Sequence, residues 1–182
     1  MIHRILKGLA PLAALAGAAL VTGCDNMNIR IGDGDGVPLA ELDMSGAAPT
    51  ELVLAGPEKV IVTEGEKLDI AVSGEDAAVD AVRFSLDEGS LGISRAKDMG
   101  KIGGVATVRV TMPSLTAMVL AGSGDIEAAS MRGKADVTIA GSGKAKVARF
   151  DADSLDLTIA GSGSFEGAGT VDMLDMTVAG SG

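Results

Sequence analysis

The chain has no tryptophan and no tyrosine, and its only aromatic residues are Phe84, Phe150 and Phe165. A core therefore has to be built from Val, Ile, Leu, Met and Ala, in layers thin enough to close without large rings. There is one histidine, His3, and one cysteine, Cys24, both near the N-terminus. Beyond residue 24 the chain carries no imidazole and no thiol. Ser-His-Asp and Cys-His catalysis lose their general base, zinc sites built from His and Cys lose their ligands, and no disulfide framework can form. The remaining chemistry rests on Asp, Glu, Lys, Arg, Ser and the backbone. Proline is scarce, at five, whereas glycine is abundant, at 26 of 182 residues. The length favours one domain with short appendages.

The first 23 residues read as an export signal. Arg4 and Lys7 form a basic start, and an apolar stretch from Leu9 to Val21 follows, too short to span a bilayer stably. The segment closes on Val21-Thr22-Gly23-Cys24, which resembles a bacterial lipobox, with cleavage before Cys24 and lipid attached to it. Several acyl chains at about 0.8 kcal/mol per buried methylene hold a protein firmly to a membrane. Loss of residues 1–23 removes two basic residues and no acidic one. The balance becomes 13 basic against 25 acidic residues, a net charge of 13 − 25 = −12. Such a surface repels nucleic acid and anionic head groups. Asp25, directly after the cysteine, resembles the inner-membrane retention signal of enterobacterial lipoproteins. Residues 24–40 read as the lipidated cysteine and a flexible tether. Gly32-Asp33-Gly34-Asp35-Gly36 suggests a calcium loop, but Val37 occupies the next ligand position and the EF-hand pattern fails.

The second half is organised by a repeat. Ala-Gly-Ser-Gly occurs at residues 121–124, 140–143, 160–163 and 179–182, at spacings of 19, 20 and 19 residues. Asp136-Val137-Thr138-Ile139, Asp156-Leu157-Thr158-Ile159 and Asp175-Met176-Thr177-Val178 precede the last three copies, and Ala117-Met118-Val119-Leu120 precedes the first. Apolar and polar residues alternate, the period of a strand. A unit of about 20 residues, with two or three short strands and glycine corners, predicts an all-β fold, a right-handed parallel β-helix or solenoid. Stacking in register makes inward rows of Met118, Val137, Leu157 and Met176, of Leu120, Ile139, Ile159 and Val178, and of Ile126, Ala145 and Phe165. An outward row of Glu127, Lys146 and Glu166 alternates in sign, worth about 0.2–1 kcal/mol per pair. A third short strand is placed around Met131, Phe150 and Val171.

Upstream, Glu58 to Gly65, Lys67 to Val72 and Val105 to Met112 read as strands. Phe84 to Ile93 reads as a hairpin and Glu75 to Val82 as a short helical turn. Gly56-Pro57, Val60-Ile61-Val62-Thr63-Glu64-Gly65, Leu91-Gly92-Ile93, Val110-Thr111-Met112-Pro113-Ser114-Leu115 and Leu120-Ala121-Gly122-Ser123-Gly124-Asp125-Ile126 follow one another in that order. This order resembles the bacterial family known as putative autotransporter adhesin, head GIN domain, over about residues 41–182. The resemblance implies a β-helix on exported, often lipid-anchored, proteins, with no established catalytic residues. Relatives commonly continue beyond the point where this sequence stops. The expectation is a truncated frame, or an open apolar end covered by a partner or by self-association.

Three features invite chemistry. Gly141-Ser142-Gly143-Lys144 suggests a phosphate loop, but Thr138 and Ala145 stand where that motif needs Gly and Ser or Thr, so a structural corner is expected. The row Ser123, Ser142, Ser162 and Ser181 suggests nucleophiles, but without a base or a nucleophile elbow. Corner serines bonded to neighbouring backbone are expected instead. The row Asp136, Asp156 and Asp175 is the sharpest candidate. Carboxylates about 4.8 Å apart repel one another. They read first as solvated residues at strand starts, second as calcium ligands, and third as an acid pair acting on polysaccharide.

The sequence thus predicts a non-catalytic β-solenoid, anchored by lipid on Cys24, with no cofactor. Its expected partners are the membrane through the anchor, a protein or polysaccharide ligand, and further copies of itself through the open end. Its expected place is the cell envelope, on the periplasmic side of either membrane or on the cell surface. The alternatives are an envelope enzyme acting on polysaccharide through carboxylates, and a periplasmic scaffold lipoprotein.

Overall fold

A computed structural model describes residues 36–97 and 103–182. The signal segment, Cys24 and the tether as far as residue 35 lie outside the described residues. Among the described residues the chain opens with Val37, which bridges Phe84, and a single 3-10 turn at Leu39–Glu41. Eleven strands follow, in one sheet: β1 (Glu51–Gly56), β2 (Lys59–Glu64), β3 (Asp69–Ser73), β4 (Val82–Asp87), β5 (Ser90–Arg95), β6 (Thr107–Met112), β7 (Ala117–Gly122), β8 (Asp125–Ala128), β9 (Met131–Gly141), β10 (Lys144–Gly161) and β11 (Ser164–Gly180). The one helix among them, α1 (Asp76–Ala81), lies between β3 and β4. No helix among the described residues is long and apolar enough to cross a membrane.

The sheet is mixed, which corrects the expectation of a purely parallel one. Repeats stack parallel along β1–β7–β9–β10–β11, while β3 lies antiparallel on β6 and β4 antiparallel on β5. The β4–β5 connection is the expected hairpin, and Glu88 and Gly89 take positive φ in its turn. A two-residue turn of that kind matches the twist of the strands it joins.

Because β9, β10 and β11 are long and bent, one strand serves successive legs of the stack. The first leg comprises β1, β7 and residues 135–141, 155–161 and 174–180. The second comprises β2, β8 and residues 144–147 and 164–167. All three expected inward rows form. Met118, Val137, Leu157 and Met176 are in register, with Leu52 before them, and so are Leu120, Ile139, Ile159 and Val178, with Leu54 before them. Val60, Ile126, Ala145 and Phe165 align on the second leg. From β1 to β10 these residues are buried, whereas on β11 Phe165 is half-buried and Met176 and Val178 are exposed; burial of each large aliphatic side chain contributes roughly 1.5–3 kcal/mol.

One expected alignment fails. Phe150 stands opposite Met131 on one side but opposite Gly169 on the other, and Val171 instead faces Ala152. The register shifts between Val147 and Phe150, so β11 has one residue fewer than β10 between Gly167 and Gly169. The Phe150 and Phe165 rings meet at 6.0 Å, tilted by 57°, and the Phe150 ring lies over Gly167.

Candidate functional surface

The corners decide what the Gly-Ser-Gly motif can do. The amides of Ser142 and Gly143 both donate to the carbonyl of Gly122, at 2.9 and 3.1 Å. Lys144 donates to Gly124 at 3.1 Å, and Ser162 and Ser181 donate to Gly141 and Gly161 at 2.8 Å each. These N–H groups are used up by the preceding repeat, so Gly141-Ser142-Gly143-Lys144 offers no cradle of free amides for a phosphate. Ser142, Ser162 and Ser181 do bond to neighbouring backbone as expected, but through their amides, and these three and Ser123 are all exposed. Gly141 has φ +135°, and a Cβ there would collide with the Gly122 carbonyl oxygen. Only glycine supplies both the conformation and the closeness.

In the first repeat a different corner appears. Glu58 occupies the place of Gly124 and Gly143: its carbonyl accepts from Asp125, as theirs accept from Lys144 and Ser164. Its side chain is fully buried. Arg95 Nε donates to Oε1 at 2.7 Å, and Oε2 has no hydrogen-bond partner. That same Oε2 presses on Gly56, where a Cβ would collide with it. The pair ties β5 to the first corner. Removing one partner of such a pair leaves a buried charge uncompensated.

The outward rows of the two legs differ in kind. On the second leg, Glu127, Lys146 and Glu166 stand in register as expected. Lys146 Nζ is 3.4 Å from Glu166, and Glu127 is held by Lys59 at 2.8 Å. The hydrogen bond from Lys59, with Lys146 also nearby, holds the Glu127 carboxyl below the usual range. A shallow depression farther along is lined by Thr63, Glu64, Ser114, Ser130 and Arg132. There Arg132 Nη1 pairs with Glu64 at 2.5 Å and Ser130 Oγ donates to it at 3.1 Å, and these bonds lower the Glu64 pKa.

The first leg stacks like charge. Glu51, Ala117, Asp136, Asp156 and Asp175 stand opposite one another on five successive strands, with no basic residue in the row. Burial, then the neighbouring charges of Asp156 and Glu51, push the Asp136 carboxyl up to about 6. Burial raises Glu51 as well. The next outward rows are Thr138, Thr158 and Thr177, then Ala121, Ala140, Ala160 and Ala179. The three expected aspartates are therefore brought together, and Glu51 joins them. Sequence repeats could have revealed Glu51, because Val53-Leu54-Ala55-Gly56 is identical to Val119-Leu120-Ala121-Gly122. Among the described residues no group of three or more His, Cys, Asp or Glu is arranged to hold a metal ion.

Stacked repeats with closed corners and side-chain rows in register define an all-β repeat protein. The chain belongs to the family described as putative auto-transporter adhesin, head GIN domain, whose model matches residues 48–182. Two solved structures, both from Parabacteroides distasonis, share the fold. One is described as a putative lipid binding protein, with TM-score 0.52 and 19% identity over 74% of this chain and 68% of that one. The other is described as a putative adhesin, with TM-score 0.50 and 17% identity over 73% of this chain and 66% of that one. No curated protein matches the sequence.

Proposed function

We propose that this chain is a non-catalytic, adhesin-like binding module of the cell envelope, anchored by lipid on Cys24. In this reading its stacked repeats wind as a right-handed β-solenoid and hold the acidic first-leg side towards a protein or polysaccharide ligand. The observation that carries it is the row Glu51, Asp136, Asp156 and Asp175, in register with no basic residue in the row. Like charges in register gain nothing for folding from one another, and burial, then the neighbouring charges of Asp156 and Glu51, push the Asp136 carboxyl up to about 6. A locally unfavourable arrangement kept inside an otherwise consistent fold marks a surface in use. Carboxylates repeating every strand spacing, about 4.8 Å, suit a partner with regularly spaced cationic groups. Membership of an adhesin-described family and an N-terminal segment with the pattern of an export signal support the envelope setting.

The test compares the native chain with the triple variant Asp136→Asn, Asp156→Asn, Asp175→Asn. Both are put on glycan arrays and on isolated envelope proteins, and both are assayed for glycan turnover. The proposal expects ligand retention by the native chain, at least tenfold weaker retention by the variant, and turnover by neither. Turnover that disappears in the variant would instead establish the envelope enzyme. Metabolic labelling with a palmitate analogue, present in the native chain and absent in Cys24→Ser, tests the anchor. Protease treatment of intact cells, with an epitope placed in residues 25–35, tells the surface from the periplasm.

A further inference from the structure

Val53 and Val119 point out of the stack and are nevertheless buried. Val53 lies between Leu52 and Leu54, and Val119 between Met118 and Leu120, whose side chains form the inward rows. Successive residues of a strand face opposite sides, so both valines belong to the outward row of Thr138, Thr158 and Thr177. Thr177 is exposed, whereas Val53 is 4% exposed and Val119 2%, and neither valine belongs to the interior cluster. The carboxylates beside them carry the same sign of cover. Burial raises Glu51 and is the first cause that raises Asp136. Among the described elements, the principal neighbours of β1 and β7 are the strands they pair with. Those strands lie beside them, and a cover over the outer face has to come from other chain.

We propose that residues 27–31 dock across this outer face, with Met27, Ile29 and Ile31 on Val53 and Val119 and with Asn28 and Arg30 turned to water. Three observations select this occupant. The first is its pattern. Met27, Ile29 and Ile31 alternate with Asn28 and Arg30, the period of an extended segment with one apolar side. They are the only large apolar residues between Cys24 and Val37. The second is the direction in which the chain reaches the sheet. Gly36 has φ +59°, and a Cβ on it would come within 3.1 Å of the Arg83 Cβ. Arg83 is in register with Ser94 and Ala55 on the outer side of the sheet. From there to Val53 the outward row holds only Ser85 and Gly92, which leave a low path across β4 and β5. The third is reach. Val37 bridges Phe84 on β4, so β1 lies three strand steps away and β7 four. Those steps amount to about 14 and 19 Å. The six residues from Ile31 to Val37 span up to about 20 Å when extended. The cover would hold the anchor end of the domain beside the Glu51 and Asp136 end of the carboxylate row. Asp175, at the far end, stays exposed. The docking does not depend on what that row binds.

Thiol labelling of the full-length chain in its own envelope tests the cover, with the parent chain and its Cys24 as background. In the processed form, Val119→Cys should react with a maleimide at least tenfold more slowly than Ala160→Cys, which is exposed on the same side. Adding Met27→Ser, Ile29→Ser and Ile31→Ser should speed Val119→Cys at least tenfold and leave Ala160→Cys unchanged. Arg30→Ser should change neither. Ala145→Cys, in the interior, should stay slow throughout. Val53→Cys carries the same expectations as Val119→Cys and replaces it should that variant not fold. Val119→Cys reacting as fast as Ala160→Cys in the native background overturns the proposal. So does a Val119→Cys that stays slow after the three serine changes. An equal rise at Ala145→Cys would show a loosened stack in place of an uncovered face, and would overturn it too. Protection found only in the uncleaved precursor would assign the cover to residues 9–21 and overturn it likewise.

Discussion

The first and second legs of the stack are made from the same repeat, yet their outward rows obey opposite rules. On the second leg, basic and acidic residues interleave from strand to strand, and Lys59–Glu127 and Lys146–Glu166 pair across neighbouring repeats. On the first leg, Glu51, Asp136, Asp156 and Asp175 accumulate with no base among them. The backbone geometry is equivalent, with parallel strands in exact register on both. The difference therefore lies in the side chains alone. The second leg alternates the sign of its stacked charges, and the first stacks carboxylates with no base in the row.

Breaking the shared corner should have the largest effect, because it removes the register on which both rows depend. Gly141→Ala sets a Cβ against the Gly122 carbonyl at positive φ. A loss of about 3 kcal/mol or more is expected, read by chemical denaturation.

Neutralising the first-leg row should act in the opposite direction. The Asp136 pKa rises from 3.8 unfolded to about 6 folded. The folded state thus binds the proton more tightly, and the associated stability is fully present below pH 3.8 and is lost as the pH climbs through about 6. Allowing for solvent screening at this half-buried site, the loss at pH 7 is about 1–2 kcal/mol. Asp136→Asn should recover a similar amount at pH 7 and little at pH 4. Melting curves at the two pH values check this.

Importing the rule of the second leg into the first sharpens the contrast. Ala117 lies between Glu51 and Asp136 in register. Ala117→Lys should add about 0.5–1 kcal/mol and bring the Asp136 carboxyl back towards the ordinary range, visible by side-chain carboxyl NMR. Lys146→Ala, on the second leg, should cost least, below about 0.5 kcal/mol, since both it and Glu166 are exposed.

Much of this was readable in the sequence where the repeat is regular. The inward rows, the sign-alternating row and the aspartate row all follow from the period, because parallel stacking places residues of equal phase opposite one another. Three parts escaped. β1 was not assigned as a strand, since 66 residues separate it from its equivalent β7 and its corner reads Gly56-Pro57-Glu58 in place of Gly-Ser-Gly. The mixed pairing at β3 and β4 escaped because alternation marks a strand without giving its direction. The Phe150 and Gly169 alignment escaped because a register shift changes the phase without leaving a motif. Glu58 is the clearest miss among single residues. A lone glutamate near a strand start reads as solvated, and only the close approach of Arg95 and Gly56 reveals that it is buried.

The central claim is that the first-leg carboxylate row is kept for binding at a cost to folding. Stability and ligand retention measured together, on the native chain and on the triple Asp136→Asn, Asp156→Asn, Asp175→Asn variant at pH 7, test it most directly. The account predicts a variant that melts higher and has lost its envelope ligand. A variant that melts lower, or one that melts higher and binds as well as the native chain, would contradict it.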